Sequence, residues 1–286
     1  MIARAVNEWF GANRRDLPWR HPEFGAWGIL VSEIMLQQTP VARVIPRLAL
    51  WLERWPTPAD LAAAPPGDAV RAWERLGYPR RALALHAAAV AITERHGGVV
   101  PDGVPELLAL PGVGDYTARA VAAFAFGRRH PVVDTNVRRV IARAVHGQGL
   151  AGPPSTRRDL ADMEALLPAD DAEARVFNAG MMELGAIVCT ARAPRCKACP
   201  IATACRWRAA GYPEYEGPRA NVQKRFEGSD RQVRGLIMAE LRGSDIPVTS
   251  QEIETVWADP AQRDRALAGL LADGLVVPAG DGYRLP

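Results

Sequence analysis

Two helical patterns meet across five residues near the middle of the chain, at Leu110-Pro111-Gly112-Val113-Gly114. Pro105 to Ala109 reads as a short helix that Pro111 stops. Asp115 to Gly127 places Tyr116, Ala120, Val121 and Phe124 at helical spacing, so a second helix starts at once. The two glycines permit a tight hairpin with positive φ and leave backbone N–H groups uncovered. With no bulky side chain above them, Gly112, Val113 and Gly114 form a seat for an anion such as a phosphate. On the pentapeptide alone an αα-hairpin with a plain glycine turn is the better reading, so the downstream residues decide. His130-Pro131 breaks the second helix, and the apolar pair Val132-Val133 delivers Asp134 to the start of another.

The rest of the chain is also helical in pattern. Helices are expected at Ala3 to Ala12, Trp27 to Leu36, Val41 to Arg54 and Arg80 to His96, with shorter ones opening at Pro58 and Gly67. Others follow at Asn136 to Val145, Thr156 to Leu167 and Ala172 to Ile187. Period-two alternation is almost missing before residue 270, so the main body is all-α. Tyr212 to Ser229 is rich in Pro, Gly and charge and reads as a linker. Beyond it, Asp230 to Leu241, Thr249 to Trp257 and Pro260 to Ala272 are helical, and Leu275 to Leu285 makes a hairpin. Three helices and a β-wing describe a winged-helix-like domain, with Arg263 and Arg265 as the cations of its third helix.

Charge separates the two parts. From Pro213 onward nine basic residues face twelve acidic ones, which leaves 26 basic against 20 acidic in the first 212. A basic body suits a polyanionic partner without proving one. No apolar run approaches membrane-spanning length and no leader pattern precedes the first helix, so the expectation is a cytoplasmic, monomeric protein with no membrane contact.

All four cysteines, Cys189, Cys196, Cys199 and Cys205, fall within 17 residues in the spacing C-x6-C-x2-C-x5-C. Four thiolates can hold zinc or an iron–sulfur cluster. Structural zinc would ordinarily present paired close knuckles, and only one close pair is present. Arg192, Arg195, Lys197 and Arg206 surround these residues in sequence. Two carboxylates stand out elsewhere because apolar segments enclose them, Glu33 within Trp27 to Leu36 and Asp134 after Val132-Val133. Burial would raise the pKa of Glu33 and keep a proton available. Asp134 could stay ionised, since Asn136 and the following helix N-terminus can donate to it. Taken alone, Asp134 is more simply read as a helix cap, and Glu33 as a solvated helix residue or half of an ion pair.

These features together resemble the helix-hairpin-helix plus Gly-Pro-Asp signature of the DNA glycosylase superfamily that includes endonuclease III and MutY. The loop Pro131-Val132-Val133-Asp134-Thr135-Asn136-Val137 and the run Ser32-Glu33-Ile34-Met35-Leu36-Gln37-Gln38-Thr39 are similar to the MutY branch. The resemblance covers roughly residues 3 to 212. It implies a mainly α helix-hairpin-helix DNA glycosylase fold. Residues 1–22 and 134–212 would form an iron–sulfur cluster domain, and 23–133 a six-helix barrel. A linker at 213–229 and the winged-helix-like domain at 230–286 would follow. The cysteine spacing implies a [4Fe–4S] cluster.

The resemblance also implies the chemistry. Excision requires the nucleotide to leave the stack, an acid near the base and negative charge near the sugar. Glu33 matches the acid that protonates adenine at N7. Asp134, with Asn136 beside it, matches the carboxylate that stabilises, and bonds transiently to, the sugar C1′. Tyr116 stands where endonuclease III carries its Schiff-base lysine, which implies a monofunctional glycosylase. Arg15, Trp19, Arg20 and Leu36 match residues of the adenine pocket. Gln38 and Thr39 match readers of the opposite 8-oxoguanine, and Tyr78 the wedge inserted into the duplex. The implied partner is double-stranded DNA holding adenine opposite 8-oxoguanine or guanine. A thymine–guanine mismatch glycosylase and a non-catalytic lesion-binding protein are the alternatives. Three departures from the family bear on selectivity: Gly77-Tyr78-Pro79 replaces Gly-Tyr-Tyr, Ala179 replaces Glu or Gln, and the winged-helix-like tail replaces a NUDIX-like domain.

Overall fold

The computed structural model describes residues 1–218 and 225–286. In chain order the helices are α1 (Ile2–Asn13), α2 (Gly25–Leu36), α3 (Val41–Arg54), α4 (Pro58–Ala63), α5 (Pro66–Trp73) and α6 (Arg80–His96). Next, α7 (Val104–Leu108) and α8 (Asp115–Phe126) flank the glycine turn, followed by α9 (Thr135–Ala144), α10 (Thr156–Glu164) and α11 (Asp171–Ile187). After the short α12 (Arg206–Ala209) come α13 (Asp230–Gly243), α14 (Ser250–Thr255) and α15 (Pro260–Ala272), with strands β1 (Val248–Thr249), β2 (Val277–Ala279) and β3 (Gly282–Arg284). Among the described residues no helix is long and apolar enough to cross a membrane.

Local chemistry sets many of these boundaries. Thr57 and Asp60 form a capping box at α4, as Thr249 and Glu252 do at α14. Asp134 caps α9 and Asp170 caps α11 through side-chain oxygens. Gly97 closes α6 at φ 60°, a left-handed position that favours glycine.

The described residues form two compact units, one of 1–29, 102–108 and 113–218, the other of 30–101, 109–112 and 225–286. In the first, α1 and α9 both pack on α11. Their interface is the buried set Val6, Val137, Val140, Phe177, Met181 and Leu184. Two glycines on α11 allow this close approach. A Cβ on Gly180 would lie 2.7 Å from Val6 Cγ1, and one on Gly185 only 2.6 Å from Asn136 Cβ.

In the second unit α4 and α5 pack on α6. Trp51 lies edge-on to Trp55 and to Trp73, with centroids 4.7 and 5.6 Å away. The 225–286 segment belongs to this unit: α13 packs on α15, and β3 is the central strand, antiparallel to both neighbours. The expected hairpin is therefore a three-stranded sheet. The added strand, Val248–Thr249, is two residues long and too short to show alternation in the sequence. Arg263 and Arg265 are not available as free cations, because Arg263 donates to Glu254 O and Arg265 pairs with Asp230. The expected linker falls partly on 219–224, outside the described residues.

The C-terminal segment lies against α5 and the start of α6. Gly67 N donates to Pro286 O at 2.7 Å, Arg71 donates to Arg242 O and Ser244 O, and Arg80 pairs with Asp273. Gly67 is required for this approach, since a Cβ there would sit 2.4 Å from Pro286 O. Gly67→Ala is therefore expected to loosen 225–286 at a cost of about 1–3 kcal/mol, as overpacking does. Limited proteolysis should then cut that segment faster than in wild type, and an unchanged rate would show that the contact is dispensable.

Candidate functional site

Asp134 leads α9 because its own side chain organises the helix start. Its Oδ1 accepts from Val137 N and its Oδ2 from Asn136 Nδ2, each at 2.7 Å. The cap and the carboxylate of interest are thus the same group. The residue keeps a partly open flank, yet protein atoms crowd the carboxyl. Desolvation is the largest influence and raises its pKa above the ordinary value, against donors that lower it.

Several residues that the sequence reading did not single out hold Asp134 in place. Arg139 donates to Asn136 Oδ1, to Gly185 O and to Cys189 O, each at 2.7 Å. The fully buried Asn178 accepts from Val132 N and donates to His130 O, fixing the strand-like approach to Asp134 at both ends. Asn178 sits on α11, 44 residues downstream of Asp134, and no local motif marks it. Tyr116 lies on α8 against the small core of Ala120, Ala123 and Val132.

Glu33 lies on α2, 4% exposed, beside the fully buried Ser32 and among the buried Leu30, Val31, Ile34 and Met35. Its helix has almost no polar face, a setting in which a carboxyl is costly to keep ionised. Leu36 is half-buried, Gln38 exposed and Thr39 buried on the turn that ends α2. Tyr78 is exposed on the turn before α6.

The glycine turn differs from expectation in one respect. Gly112 has φ 75°, and a Cβ on it would lie 2.6 Å from Ala84 Cβ, so glycine is required twice over. Gly114 is extended, at φ −98° and ψ −179°, and does not need glycine for its backbone angles. It is the N-cap of α8 and makes no side-chain cap, with open space where a Cβ would stand. No cap side chain therefore covers the first-turn amides of α8. Val113 is buried between the two.

Arg15 and Arg20, expected near a base pocket, both meet a residue that the sequence reading missed. Glu183 Oε1 and Oε2 accept from Arg15 Nε and NH2 at 2.8 Å, and Oε2 from Arg20 NH2 at 2.9 Å. The Glu183 side chain is 1% exposed. Trp19, between the two arginines, is half-buried.

The four cysteines are free thiols that line one cavity together with Val140, Arg143 and Leu184. Three of them pack on the core of the first unit. Arg143, 4% exposed, donates to Cys189 Sγ at 3.4 Å and to Thr190 O at 2.8 Å, so a cation already faces the sulfurs. Burial raises the pKa of Cys189, and pushes Cys199 up to about 11. Ligation would therefore have to expel protons. Among the described residues no three His, Cys, Asp or Glu side chains come close enough to hold one ion. Of the loop cations, Arg195 is engaged with Ile187 O, whereas Lys197 is exposed.

Residues 31–163 match the family model described as "HhH-GPD superfamily base excision DNA repair protein". An "Adenine DNA glycosylase" of Mycolicibacterium smegmatis is 56% identical over 275 residues, 96% of this chain and 92% of that protein. One of Homo sapiens is 40% identical over 210 residues, 70% of this chain and 38% of that protein. Among solved structures, a thermostable thymine-DNA glycosylase matches with TM-score 0.67 and 29% identity, covering 73% of this chain and 95% of that one. A non-covalent endonuclease III–DNA complex shares the fold at TM-score 0.63 and 24% identity, over 73% and 94%.

The Glu183 pair yields a stability prediction. Burial opposes its ionisation, but hydrogen bonds from Arg15 and Arg20 overcome that and hold its pKa at about 2, against an ordinary 4.5. A depressed folded-state pKa gives stability that is present above the unfolded pKa and lost as pH falls. The window here runs from about 4.5 down to 2. Glu183→Ala should cost about 3 kcal/mol at neutral pH, as removing one partner of a buried ion pair does. It should also flatten the pH dependence in that window. Urea melts of both proteins at neutral and acid pH check the two effects.

Proposed function

The chain belongs to the HhH-GPD superfamily of base excision DNA repair proteins and to its adenine DNA glycosylases, and from that premise we propose how it works and on what. It hydrolyses the N-glycosidic bond of adenine opposite 8-oxoguanine or guanine in double-stranded DNA, acts as a monomer and leaves an abasic site. The observation that carries the acid assignment is the burial of Glu33, 4% exposed in an otherwise apolar stretch of α2. A buried carboxyl can keep a proton to give to a base, whereas a solvated one would have lost it.

The reaction divides between an acid and an anion. With the adenine turned out of the stack, Glu33 gives its proton to the ring, and the C1′–N9 bond breaks with its electron pair leaving on the base. The sugar becomes cationic, and Asp134 stabilises it as the carboxylate. Asn136 and Val137 N hold that carboxylate in one orientation through the two 2.7 Å bonds. Water adds at C1′ and gives up its proton to a carboxylate, which closes the balance. Tyr116 offers no amine, so no imine forms and the backbone is not cut. The exposed amides at Gly114, with Gly112 and Val113, receive a backbone phosphate. Arg15, Trp19, Arg20 and Leu36 serve the adenine, Gln38 and Thr39 the opposite base, and Tyr78 the gap it leaves.

The donor set around Arg143 supports a [4Fe–4S] cluster on Cys189, Cys196, Cys199 and Cys205. The four cysteines would hold the group, and their spacing, with only one close pair, is unlike the paired knuckles of structural zinc. Bound there, the group supplies a structural cross-link that holds the 189–205 loop with its exposed Lys197 toward a phosphate. The likeness to a thymine-DNA glycosylase is weaker in identity, 29% against 56%, and makes thymine opposite guanine the substrate to exclude.

Two experiments test this reading. Wild-type protein is expected to release free adenine from adenine:8-oxoguanine duplexes and no thymine from thymine:guanine ones. Glu33→Gln, nearly isosteric, should lower single-turnover excision by roughly 10³-fold or more, about 4 kcal/mol, with duplex binding retained. Wild-type rates in that variant would sink the assignment. Separately, anaerobically purified protein should absorb broadly in the visible and contain about four irons per chain. Stoichiometric zinc without iron would refute the cluster.

A further inference from the structure

We propose that Arg81 is a positioning residue that joins the wedge turn at Tyr78 to the turn at Gln37–Thr39, so that duplex insertion and opposite-base readout operate as one element. The inference rests on the roles given above to Tyr78, Gln38 and Thr39, and it adds a residue to which neither sequence motif points.

The geometry lies wholly within one compact unit. From one side, Arg81 NH1 donates to Ile34 O at 2.9 Å, Met35 O at 3.0 Å and Gln37 O at 2.6 Å, the carbonyls left over where α2 ends. From the other, its NH2 donates to Thr39 Oγ1 at 3.0 Å, Gly77 O at 2.8 Å and, at 3.4 Å, Leu76 O. Thr39 Oγ1 in turn reaches Leu76 O at 3.2 Å. The guanidinium stacks over the buried Trp73 ring at 5.1 Å and lies 5.7 Å from the Tyr78 ring. Trp73 Nε1 closes the circle by donating to Gly77 O at 3.0 Å. No carboxylate pairs with this cation in these bonds; every acceptor is a carbonyl or a hydroxyl. Desolvation pushes its pKa down to about 10, and its buried Nε has no partner. A cation kept at that cost is there for its planar fork, which a lysine cannot reproduce.

Both turns also need holding. Gln38 and Tyr78 are two of the four described non-glycine residues with positive φ, at 56° and 48°. Such conformations cost energy and persist only when their surroundings over-determine them. The flanking carbonyls at Gln37 and Gly77 are the ones that Arg81 grips. A wedge pushed by the duplex therefore loads the same guanidinium that sets the opposite-base turn.

The test uses the full chain with Arg81→Lys and Tyr78→Ala, the latter at an exposed side chain whose removal leaves the buried contacts in place. Single-turnover excision at saturating protein is measured on adenine:8-oxoguanine and adenine:guanine duplexes. In addition, 2-aminopurine fluorescence beside the mispair reports insertion without any chemistry. Arg81→Lys is expected to compress the rate ratio between the two duplexes about tenfold and to at least halve the fluorescence rise, with excision still reaching completion. A merely structural loss would instead lower the fraction of active protein and leave the ratio alone. Tyr78→Ala should compress the same ratio, because the two turns act together. An unchanged ratio in either variant, or a full fluorescence rise in Arg81→Lys, overturns the coupling. No adenine release by wild type would sink the glycosylase reading instead, and the fluorescence arm would still decide the coupling.

Discussion

A carboxylate taken from water must be given donors that cannot drift away, and the neighbourhood of Asp134 is built on that requirement. Desolvation raises its pKa, so each N–H aimed at it sets how readily it stays charged. Placing it as the N-cap of α9 supplies one such donor from the backbone at no extra residue cost. Asn136 supplies the second, and Arg139 then locks Asn136 by accepting nothing and donating three times. Because Arg139 also holds Cys189 O, the orientation of the carboxylate and the path of the cysteine loop are mechanically continuous. The missing Cβ at Gly185 lets α11 come near enough for this to happen.

The same solution recurs at helix ends. The last carbonyls of a helix have no intrahelical partner, and here arginines from outside the helix satisfy them: Arg81 at α2, Arg139 and the nearby Arg195 at α11. Arg15, Arg20, Arg138 and Arg143 are likewise committed to internal acceptors. The excess of basic residues in the first 212 positions therefore overstates the charge turned outward. A counterion-release argument from composition alone would count these guanidiniums as phosphate contacts when the fold has already used them.

This explains what could be read in the sequence. Helices with a cap or a breaker, such as α3 ending at Arg54, α6 ending at His96 before Gly97 and α15 opening at Pro260, fall where local pattern puts them. The mainly α class, the glycine turn and the cysteine group were legible for the same reason: their chemistry is written in neighbouring residues. Glu183, Asn178, Arg139 and Arg81 were not. Each acts on partners 44 or more residues away, or on backbone atoms that have no sequence signature. The two glycines were read alike as permitting positive φ, yet only Gly112 adopts it, because a glycine in extended backbone looks the same in sequence as one in a left-handed turn.

The substitution of Pro79 in the wedge turn shows how one residue changes the balance. Proline fixes its own φ and suits a helix start, and Pro79 precedes the first residue of α6 with φ −63°. It also restricts the residue before it. That restriction favours extended backbone, so Tyr78 holds its positive φ of 48° against the preference Pro79 imposes. A flexible turn could let the aromatic ring relax on the surface between encounters with a duplex. Here the proline adds to the strain, and Arg81, through Gly77 O and Thr39, holds the turn against it. Ordering the ring before DNA arrives lowers the entropy that must be given up at insertion.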